Sequence, residues 1–226
     1  MNNLDIIHED NDIILVHKPA GVATQTKRLG QQDMESLLKN YRAKKGEPPY
    51  IGVVHRLDQP VEGIMVFAKN QKVAAHLSKQ VQQHLIGKYY YAVATRMPEQ
   101  ASGVLEHNLL TDKKANVTRV IAENAIRQVQ NPKEVKKAKL EYEVVDTKED
   151  NTLIRMKLHT GRQHQIRVQM AHIGCPLVGD SKYGEGSDRM GLALCSYRLQ
   201  FQHPVTNEKC DFKVTPKGDA FKNFFD

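Results

Sequence analysis

Two short clusters of polar residues contain the side chains best suited to acid–base or nucleophilic chemistry. The first is residues 54–60 (VHRLDQP), in which Asp58 lies two positions after Arg56 in a short loop between two apolar runs. Loops held by strands are frequent sites of catalytic side chains. On these residues alone, a local ion pair at a turn, worth about 0–1 kcal/mol, is the simpler interpretation.

The second cluster is residues 158–167 (LHTGRQHQIR), which combines two arginines, two histidines and a glycine at the start of a predicted helix. Cations are unfavourable at a helix N-terminus, and local conflicts of this kind are frequent at functional sites. The alternative is a basic, solvated helix start. The histidines of this region, His159, His164 and His172, lack the i, i+4 spacing of helical zinc pairs, so we predict no metal here.

A third feature is the positive charge of residues 113–139. The chain of 226 residues has a net charge of +7, with 33 Lys or Arg and 26 Asp or Glu. Residues 113–139 contain eight basic and two acidic residues, a local charge of +6. Such an excess suits a polyanion such as RNA, but it also suits a solvated, solubilising loop, and composition alone leaves both open.

The composition predicts one globular domain in the cytoplasm. Hydrophobic residues make up 40% and charged residues 26%, which excludes a disordered chain. No apolar run approaches the roughly 20 residues that span a bilayer, and the N-terminus lacks the pattern of a secretion signal. Three cysteines without C-x-x-C spacing argue against a disulfide framework. We therefore expect no membrane association.

The elements that must position the two clusters follow from periodicity. Apolar runs and alternation predict a largely antiparallel sheet with strands over 4–8, 12–18, 51–55, 63–68, 88–93, 140–144, 154–158 and 209–214. Helical spacing predicts helices over 33–44, after Asn70 and over 163–173. Residues 113–139 are predicted to be an exposed hairpin or loop with Pro132 near its tip. No regular β-α-β rhythm, dinucleotide motif or phosphate loop is present, so the predicted class is α+β.

Four motifs, taken in order, resemble those of the RluA-type RNA pseudouridine synthases. The stretch 55–58 (HRLD) followed by 63–66 (GIMV) resembles the signature loop of that family. Residues 12–21 (DIILVHKPAG) resemble its N-terminal motif, and 88–92 (KYYYA) its K-x-Y-x-A strand. Residues 160–168 (TGRQHQIRV) with 174–184 resemble its C-terminal motif. The implied fold is a pseudouridine synthase-like α+β domain around a bent, mainly antiparallel mixed sheet flanked by helices.

The resemblance implies a role for several residues. Asp58 matches the family's catalytic aspartate, Tyr90 its active-site tyrosine, and Arg167 the arginine that pairs with the aspartate. Arg56 matches an arginine that holds the RNA once the target base has been flipped out. The residues that we further expect to contact RNA are His55, Arg162, Lys133, Lys136 and Lys137. The implied reaction is isomerisation of uridine to pseudouridine in ribosomal or transfer RNA, without cofactor or metal.

The chain departs from the family pattern in two respects. Val61 and Glu62 stand where the family usually has Thr-Ser, which puts loop hydrogen bonding and target preference in question. The first predicted strand begins by Leu4, so we expect residues 1–226 to form a single catalytic domain without an N-terminal S4 domain. Target selection would then fall to this domain, with residues 113–139 as a candidate.

The alternatives that remain open are a non-catalytic RNA-binding protein with the same fold, and a hydrolase using Asp58 with His55 or His164. We expect a monomer that binds RNA and not DNA. The sequence does not decide whether Asp58 attacks uracil C6 or ribose C1′, or instead promotes formation of a glycal.

Overall fold

The structure is a computed structural model, and it describes residues 4–26, 30–184 and 191–225. Contacts divide the chain into two compact units, residues 1–88 with 195–216 and residues 89–194 with 217–226. In chain order the elements are β1 (Asp5–Glu9), β2 (Ile13–Lys18), α1 (Met34–Lys44), β3 (Gly52–Val53), β4 (Glu62–Ala68), α2 (Gln71–Gln82), β5 (Gly87–Ala94), β6 (Ser102–Asp112), β7 (Val117–Ile121), β8 (Lys136–Lys148), β9 (Asn151–Leu158), α3 (Gln165–His172), β10 (Leu194–Gln202), β11 (Lys209–Lys213) and α4 (Lys222–Phe225).

The strands of the first unit follow the order β1-β2-β4-β10-β11, with β3 paired to β4. The β4–β10 pair is parallel, and β1–β2, β2–β4, β3–β4 and β10–β11 are antiparallel. Alternate residues of β2, β4 and β10 form a buried core with α2, because successive strand side chains point to opposite faces. That core contains Ile13, Leu15, Ile64, Val66, Ala68, Val73, Leu77, Ile86, Leu199 and Phe201.

The strands of the second unit follow the order β5-β9-β8-β6-β7. The pairs β9–β8, β8–β6 and β6–β7 are antiparallel. Ala138 and Leu140 on β8 are buried, whereas Lys137 and Lys139 on the opposite face are exposed. Tyr142 is likewise buried and Glu143 is exposed, which agrees with the alternation predicted over 140–144. A small cluster of Leu109, Ala138 and Val168 packs β6, β8 and α3 together.

The predicted α+β class with a mostly antiparallel mixed sheet is confirmed within these units. Both α1 and α2 begin with a side-chain cap, of which only the one at Asn70 was predicted from the sequence. The Asp33 side chain accepts the Ser36 N–H and the Ser36 hydroxyl accepts the Asp33 N–H, which forms a capping box at the start of α1. The Asn70 side chain accepts the Val73 N–H at the start of α2.

Three elements differ from the predicted ones. The strand predicted over 51–55 is only Gly52–Val53, because the His55 side chain then takes the Val66 N–H that a continuing strand would have bonded. The helix predicted over 163–173 is Gln165–His172, because His164 adopts a left-handed backbone with φ of 52°. Residues 113–139 are a hairpin only in part: β6 and β7 pair antiparallel around a turn at 113–116, followed by 3-10 helices at 123–128 and 132–134 and the start of β8. Pro132 begins the second 3-10 helix and is not at the tip of the hairpin.

Within the parts of the chain that the structure describes, none of the helices combines the length and the hydrophobicity needed to cross a membrane.

Candidate active site

The loop that contains Asp58 is fastened to residues 18–24 by main-chain contacts of the first unit. The buried Thr24 hydroxyl donates to the Leu57 carbonyl at 3.0 Å and accepts the Leu57 N–H at 3.2 Å. The Gly21 N–H donates to the Gln59 carbonyl at 2.9 Å, and the Val61 N–H donates to the Asp58 carbonyl at 3.0 Å. The residues on both sides of Asp58 are therefore held by hydrogen bonds, whereas Asp58 itself is only half-buried.

Lys18, at the end of β2, is the buried support of the same loop. Its side chain is 0% exposed, and its ammonium donates to the carbonyls of Pro19 at 3.0 Å, Val22 at 2.6 Å and Gln59 at 3.1 Å. An ammonium has three protons to donate, so these carbonyls satisfy it completely. The cage joins residues 19–22 to the residue that follows Asp58.

Burial lowers the pKa of Lys18 to about 8, and the carboxylates of Asp58 and Glu62 act in the opposite direction. A buried ammonium is disfavoured by desolvation and favoured by nearby negative charge. Lys18 therefore remains mostly protonated at neutral pH and places a positive charge near the Asp58 carboxylate.

His55 makes a hydrogen bond to the main chain of β4. Its Nε2 accepts the Val66 N–H at 3.1 Å, which requires an unprotonated nitrogen there. Desolvation, with a smaller effect from Lys88, lowers the pKa of His55 to about 3. At neutral pH the ring is uncharged, and any contact with RNA would have to be made without a positive charge.

Arg167, in α3 of the second unit, is almost completely buried and forms a two-point ion pair with Asp180. Its Nε lies 2.8 Å from one carboxylate oxygen and its Nη2 lies 2.6 Å from the other. Asp180 also accepts the N–H groups of Lys182 and Tyr183. Burial alone would raise the pKa of Asp180, but these hydrogen bonds and the charge of Arg167 lower it overall. Asp180 thus fixes the plane of the guanidinium.

Tyr183 supports Arg167 from a second side. The guanidinium carbon lies 5.2 Å from the centre of the Tyr183 ring, within the range of a cation–π contact. The Tyr183 hydroxyl accepts the Thr118 N–H at 2.8 Å and lies 2.7 Å from His164 Nδ1. The ring of Tyr183 is therefore locked between β7 and the residue that precedes α3.

Arg162 and Lys137 are brought together on the surface of the second unit. Arg162 Nε donates to the Lys137 carbonyl at 2.9 Å. Gln165 fixes the backbone at Arg162, because its side-chain oxygen accepts hydrogen bonds from the Arg162 N–H and the Thr160 hydroxyl. Lys133, like these two basic residues, is exposed.

The remaining predicted residues differ in exposure. Tyr90 is 7% exposed on β5, whereas Arg56, next to His55 in the first unit, is exposed. Lys136 is also exposed, at the first position of β8. Asp58 belongs to the first unit, and Tyr90 and Arg167 belong to the second.

Two groups of described residues have metal-ligating atoms close together, and neither involves the histidines of the second cluster. They are His17 with Glu62 and Cys195, and Asp10 with Asp12 and His203. In the latter group His203 Nδ1 accepts the N–H groups of Val205 and Thr206, so its proton sits on Nε2, which faces Asp10 at 3.1 Å. That nitrogen is a donor and not a metal ligand.

The family model for RNA pseudouridylate synthases matches residues 12–172, which include Asp58, Tyr90 and Arg167. The chain belongs to the RNA pseudouridylate synthase family. The predicted family resemblance is thereby confirmed.

Relatives within the RNA pseudouridylate synthase family include enzymes named for different RNAs. The chain is 34% identical to a dual-specificity RNA pseudouridine synthase RluA of Vibrio vulnificus, over 97% of this chain and 88% of that protein. It is 30% identical to a tRNA pseudouridine synthase C of Vibrio parahaemolyticus, over 94% and 90%. It is 33% identical to a ribosomal large subunit pseudouridine synthase D of Haemophilus ducreyi, over 91% of this chain but 65% of the relative. Proteins with these names are isomerases.

Solved structures agree on the fold of the family. The human RNA pseudouridylate synthase domain containing 4 matches with a TM-score of 0.75 at 20% identity, covering 94% of this chain and 88% of that one. At this identity the match establishes the fold alone.

Three supporting residues, Lys18, Asp180 and Tyr183, had no predicted role, although all of them lie inside the four motifs. Lys18 had one visible signal, since a lysine that closes an apolar strand (IILVHK) must either leave the core or be caged in it. Arg167 lies 13 residues before Asp180, and His164 lies 19 residues before Tyr183, so no local pattern points to these two contacts.

Replacing Asp180 by Asn should destabilise the protein by about 3 kcal/mol, because the buried guanidinium of Arg167 is left without a carboxylate partner. Urea denaturation measures this difference. The matched control is Asp211→Asn, which disrupts the two-point pair with Arg198 at the surface and should cost about 0.5–1 kcal/mol. Equal destabilisation by both variants would contradict the importance assigned to the buried pair.

The titration of Lys18 should be visible in protein stability. Because its pKa is about 8 when folded and near the ordinary 10.5 when unfolded, the unfolded chain retains a proton between those pH values that the folded chain has released. The free energy of unfolding of the wild type, relative to Lys18→Met, should therefore rise with pH above about 8, by up to about 1.4 kcal/mol per pH unit.

Urea denaturation of both proteins at several pH values from 7 to 10 tests this. The exposed Lys72 on α2 provides the control, since Lys72→Met removes a lysine without disturbing the buried cage. A difference for Lys18→Met that stays flat with pH would mean that the Lys18 ammonium is not desolvated in the folded protein.

Proposed function

We propose that this protein isomerises uridine to pseudouridine in ribosomal or transfer RNA, with residues 1–226 acting as one catalytic domain. The observation that carries the proposal is the family match over residues 12–172, the range that contains Asp58, Tyr90 and Arg167. The relatives named for tRNA and for the large ribosomal subunit support both substrate classes.

In the proposed reaction the N1–C1′ bond of uridine breaks and a C5–C1′ bond forms. N1 gains a proton and C5 loses one, so the net change is isomerisation without redox chemistry. Asp58 serves as the nucleophile. Its loop is held by Thr24 and by the Lys18 cage, which limits the freedom of the carboxylate before substrate binds. Such pre-organisation lowers the entropic cost of attack.

Tyr90 and Arg167 are proposed to complete the chemistry. Arg167 carries a permanent charge, and a guanidinium that is already oriented can pair with a carboxylate without losing further side-chain freedom. The buried pair with Asp180 and the Tyr183 ring support that orientation. Tyr90 offers a flat face to the uracil and a hydroxyl that can act in removal of the C5 proton.

A stacked or paired uridine must be extruded before it can reach Asp58, at a cost of a few kcal/mol. Contacts to phosphates offset that cost and make binding sensitive to salt. We assign these contacts to Arg56, Arg162, Lys133, Lys136 and Lys137, all of which are exposed. Lys139 is a weaker candidate, because its ammonium lies 2.6 Å from the Glu106 carboxylate.

The hydrolase alternative is weakened by the state of its histidines. His55 accepts a main-chain N–H and has a pKa of about 3, so its lone pair is occupied and it is a very weak base. His164 is buried against the Tyr183 hydroxyl. His164 is thus shielded from solvent, and the free lone pair that a general base needs is already used in His55.

Replacing Asp58 by Asn should reduce isomerisation by about a thousandfold or more, because the amide is not a nucleophile. The measurement is tritium release from RNA labelled at uracil C5, using total ribosomal and transfer RNA. Asp146→Asn, at an exposed position of β8, is the matched control and should keep full activity. Binding of RNA by the wild type without any release would favour the non-catalytic RNA-binding protein.

Replacing Lys133, Lys136 and Lys137 together by Gln should weaken RNA binding and reduce its dependence on salt. For every phosphate that is no longer neutralised, the slope of log K against log salt concentration should fall by about 0.7–0.9. Filter binding at several salt concentrations measures both quantities. A triple variant with the same change of charge at exposed sites of the first unit, Lys44, Lys72 and Lys209, is the control. Equal effects of the two variants would show that only net charge matters.

A further inference from the structure

A row of metal-ligating side chains crosses three neighbouring strands of the first unit. His17 on β2, Glu62 on β4 and Cys195 on β10 are 3%, 4% and 0% exposed. Each of them is separated by two or four residues along its strand from a residue of the core under α2, namely Leu15, Ile64 or Leu199. Because strand side chains alternate between faces, the three side chains lie on the same face as that core. The proposed isomerisation assigns no role to any of them.

The donor atoms of this row are close together. His17 Nε2 lies 3.2 Å from a Glu62 carboxylate oxygen, and the ligand atoms of the three residues all lie within 4.8 Å of one another. Glu62 and Cys195 are direct partners in the parallel β4–β10 register. On the far side of the imidazole, an Asp5 carboxylate oxygen lies 3.7 Å from His17 Nδ1.

This set of atoms matches the preferences of zinc. Sulfur, imidazole nitrogen and carboxylate oxygen are its usual protein ligands. Zinc–nitrogen and zinc–oxygen bonds of about 2.0–2.2 Å at a tetrahedral angle separate those two atoms by about 3.4 Å, close to the observed 3.2 Å. A carboxylate that accepts a hydrogen bond from the second nitrogen of a ligating histidine is the usual outer support of such a site. The Asp5 oxygen, 3.7 Å from His17 Nδ1, lies within ion-pair distance and could take this role by a small approach.

Charge also favours a divalent ion at this place. A Cys195 thiolate and a Glu62 carboxylate together cancel two positive charges, so the occupied site would bury no net charge. Lys18 follows His17 in β2, so its side chain leaves from the opposite face, and its ammonium is held by the carbonyls of Pro19, Val22 and Gln59.

We propose that His17, Glu62 and Cys195 bind a zinc-class divalent cation that ties β2, β4 and β10 together. Binding releases the thiol proton of Cys195 to solvent and leaves the Asp5 carboxylate to orient His17. The three side chains occupy three of the four tetrahedral positions and leave the fourth to a water molecule. The ion would link the three strands, and the proposal stands independently of the isomerase activity. The competing interpretation is a buried cluster held by hydrogen bonds alone.

The test uses the full chain, purified without chelator, and measures metal content by mass spectrometry. About one zinc per chain is expected, and zinc at about 100 times its dissociation constant should raise the Tm of the metal-free protein by about 5–10 °C. Replacement of zinc by Co²⁺ should give a sulfur-to-cobalt charge-transfer band. This band reports thiolate ligation directly and needs no measurement of activity.

Cys195→Ser should abolish the cobalt band, whereas Cys210→Ser and Cys175→Ser should keep it. Because Cys195→Ser can disturb the buried site, Asp5→Asn is a milder second variant, and it should weaken zinc binding by about 10–100-fold. Absence of bound metal with no Tm response to zinc would overturn the proposal in favour of the hydrogen-bonded cluster. So would a cobalt band that persists in Cys195→Ser.

Discussion

A charge that is buried must be satisfied from all sides, and this constraint organises the surroundings of Asp58. The Lys18 ammonium has no exposure, and three main-chain carbonyls surround it. These carbonyls belong to loop segments outside the strands and helices, so the lysine supplies the donor that a regular element would otherwise supply. The loop after β2 and the loop before β4 are thereby ordered together.

In the second unit the buried charge that must be satisfied belongs to an arginine. Arg167 is buried, and the two-point pair with Asp180 and the face of Tyr183 stabilise it in one orientation. Asp180 is itself held by two main-chain N–H groups at the turn that follows it. The guanidinium of Arg167 on α3 is thus positioned by a turn that comes later in the chain. Its orientation therefore depends on contacts that form only when distant segments fold together.

The sequence predicted the features that depend on neighbouring residues. The cap at Asn70 is a local contact, and α2 begins directly after it as expected; the helix predicted over 33–44 is Met34–Lys44. The strand at 51–55 is shorter than predicted because the His55 ring competes with the backbone for the Val66 N–H, a contact between residues 11 positions apart. Helix α3 starts late because the His164 backbone is left-handed, which its residue type does not indicate.

The residues of the candidate site also fall into those that local sequence predicts and those that depend on distant contacts. Asp58, Tyr90 and Arg167 could be predicted as site residues because they lie in short recognisable stretches, all within the range that the family model matches. Those stretches did not reveal the supports, because a role for Lys18 or Asp180 becomes visible only when distant carbonyls and guanidinium groups are brought together. His55, which was predicted to contact RNA, also accepts a main-chain hydrogen bond, and its sequence neighbours do not indicate that contact.

The departure from the family pattern at Val61 and Glu62 is explained by the contacts of each residue. Val61 is buried, and its link to the loop is the N–H that it donates to the Asp58 carbonyl, a contact that any residue except proline can make. Glu62 contacts His17 on the face that α2 covers, opposite to the face from which Lys18 supports the loop. The main-chain course around Asp58 therefore does not require threonine and serine at these positions, and the substitution changes the buried interior of the sheet.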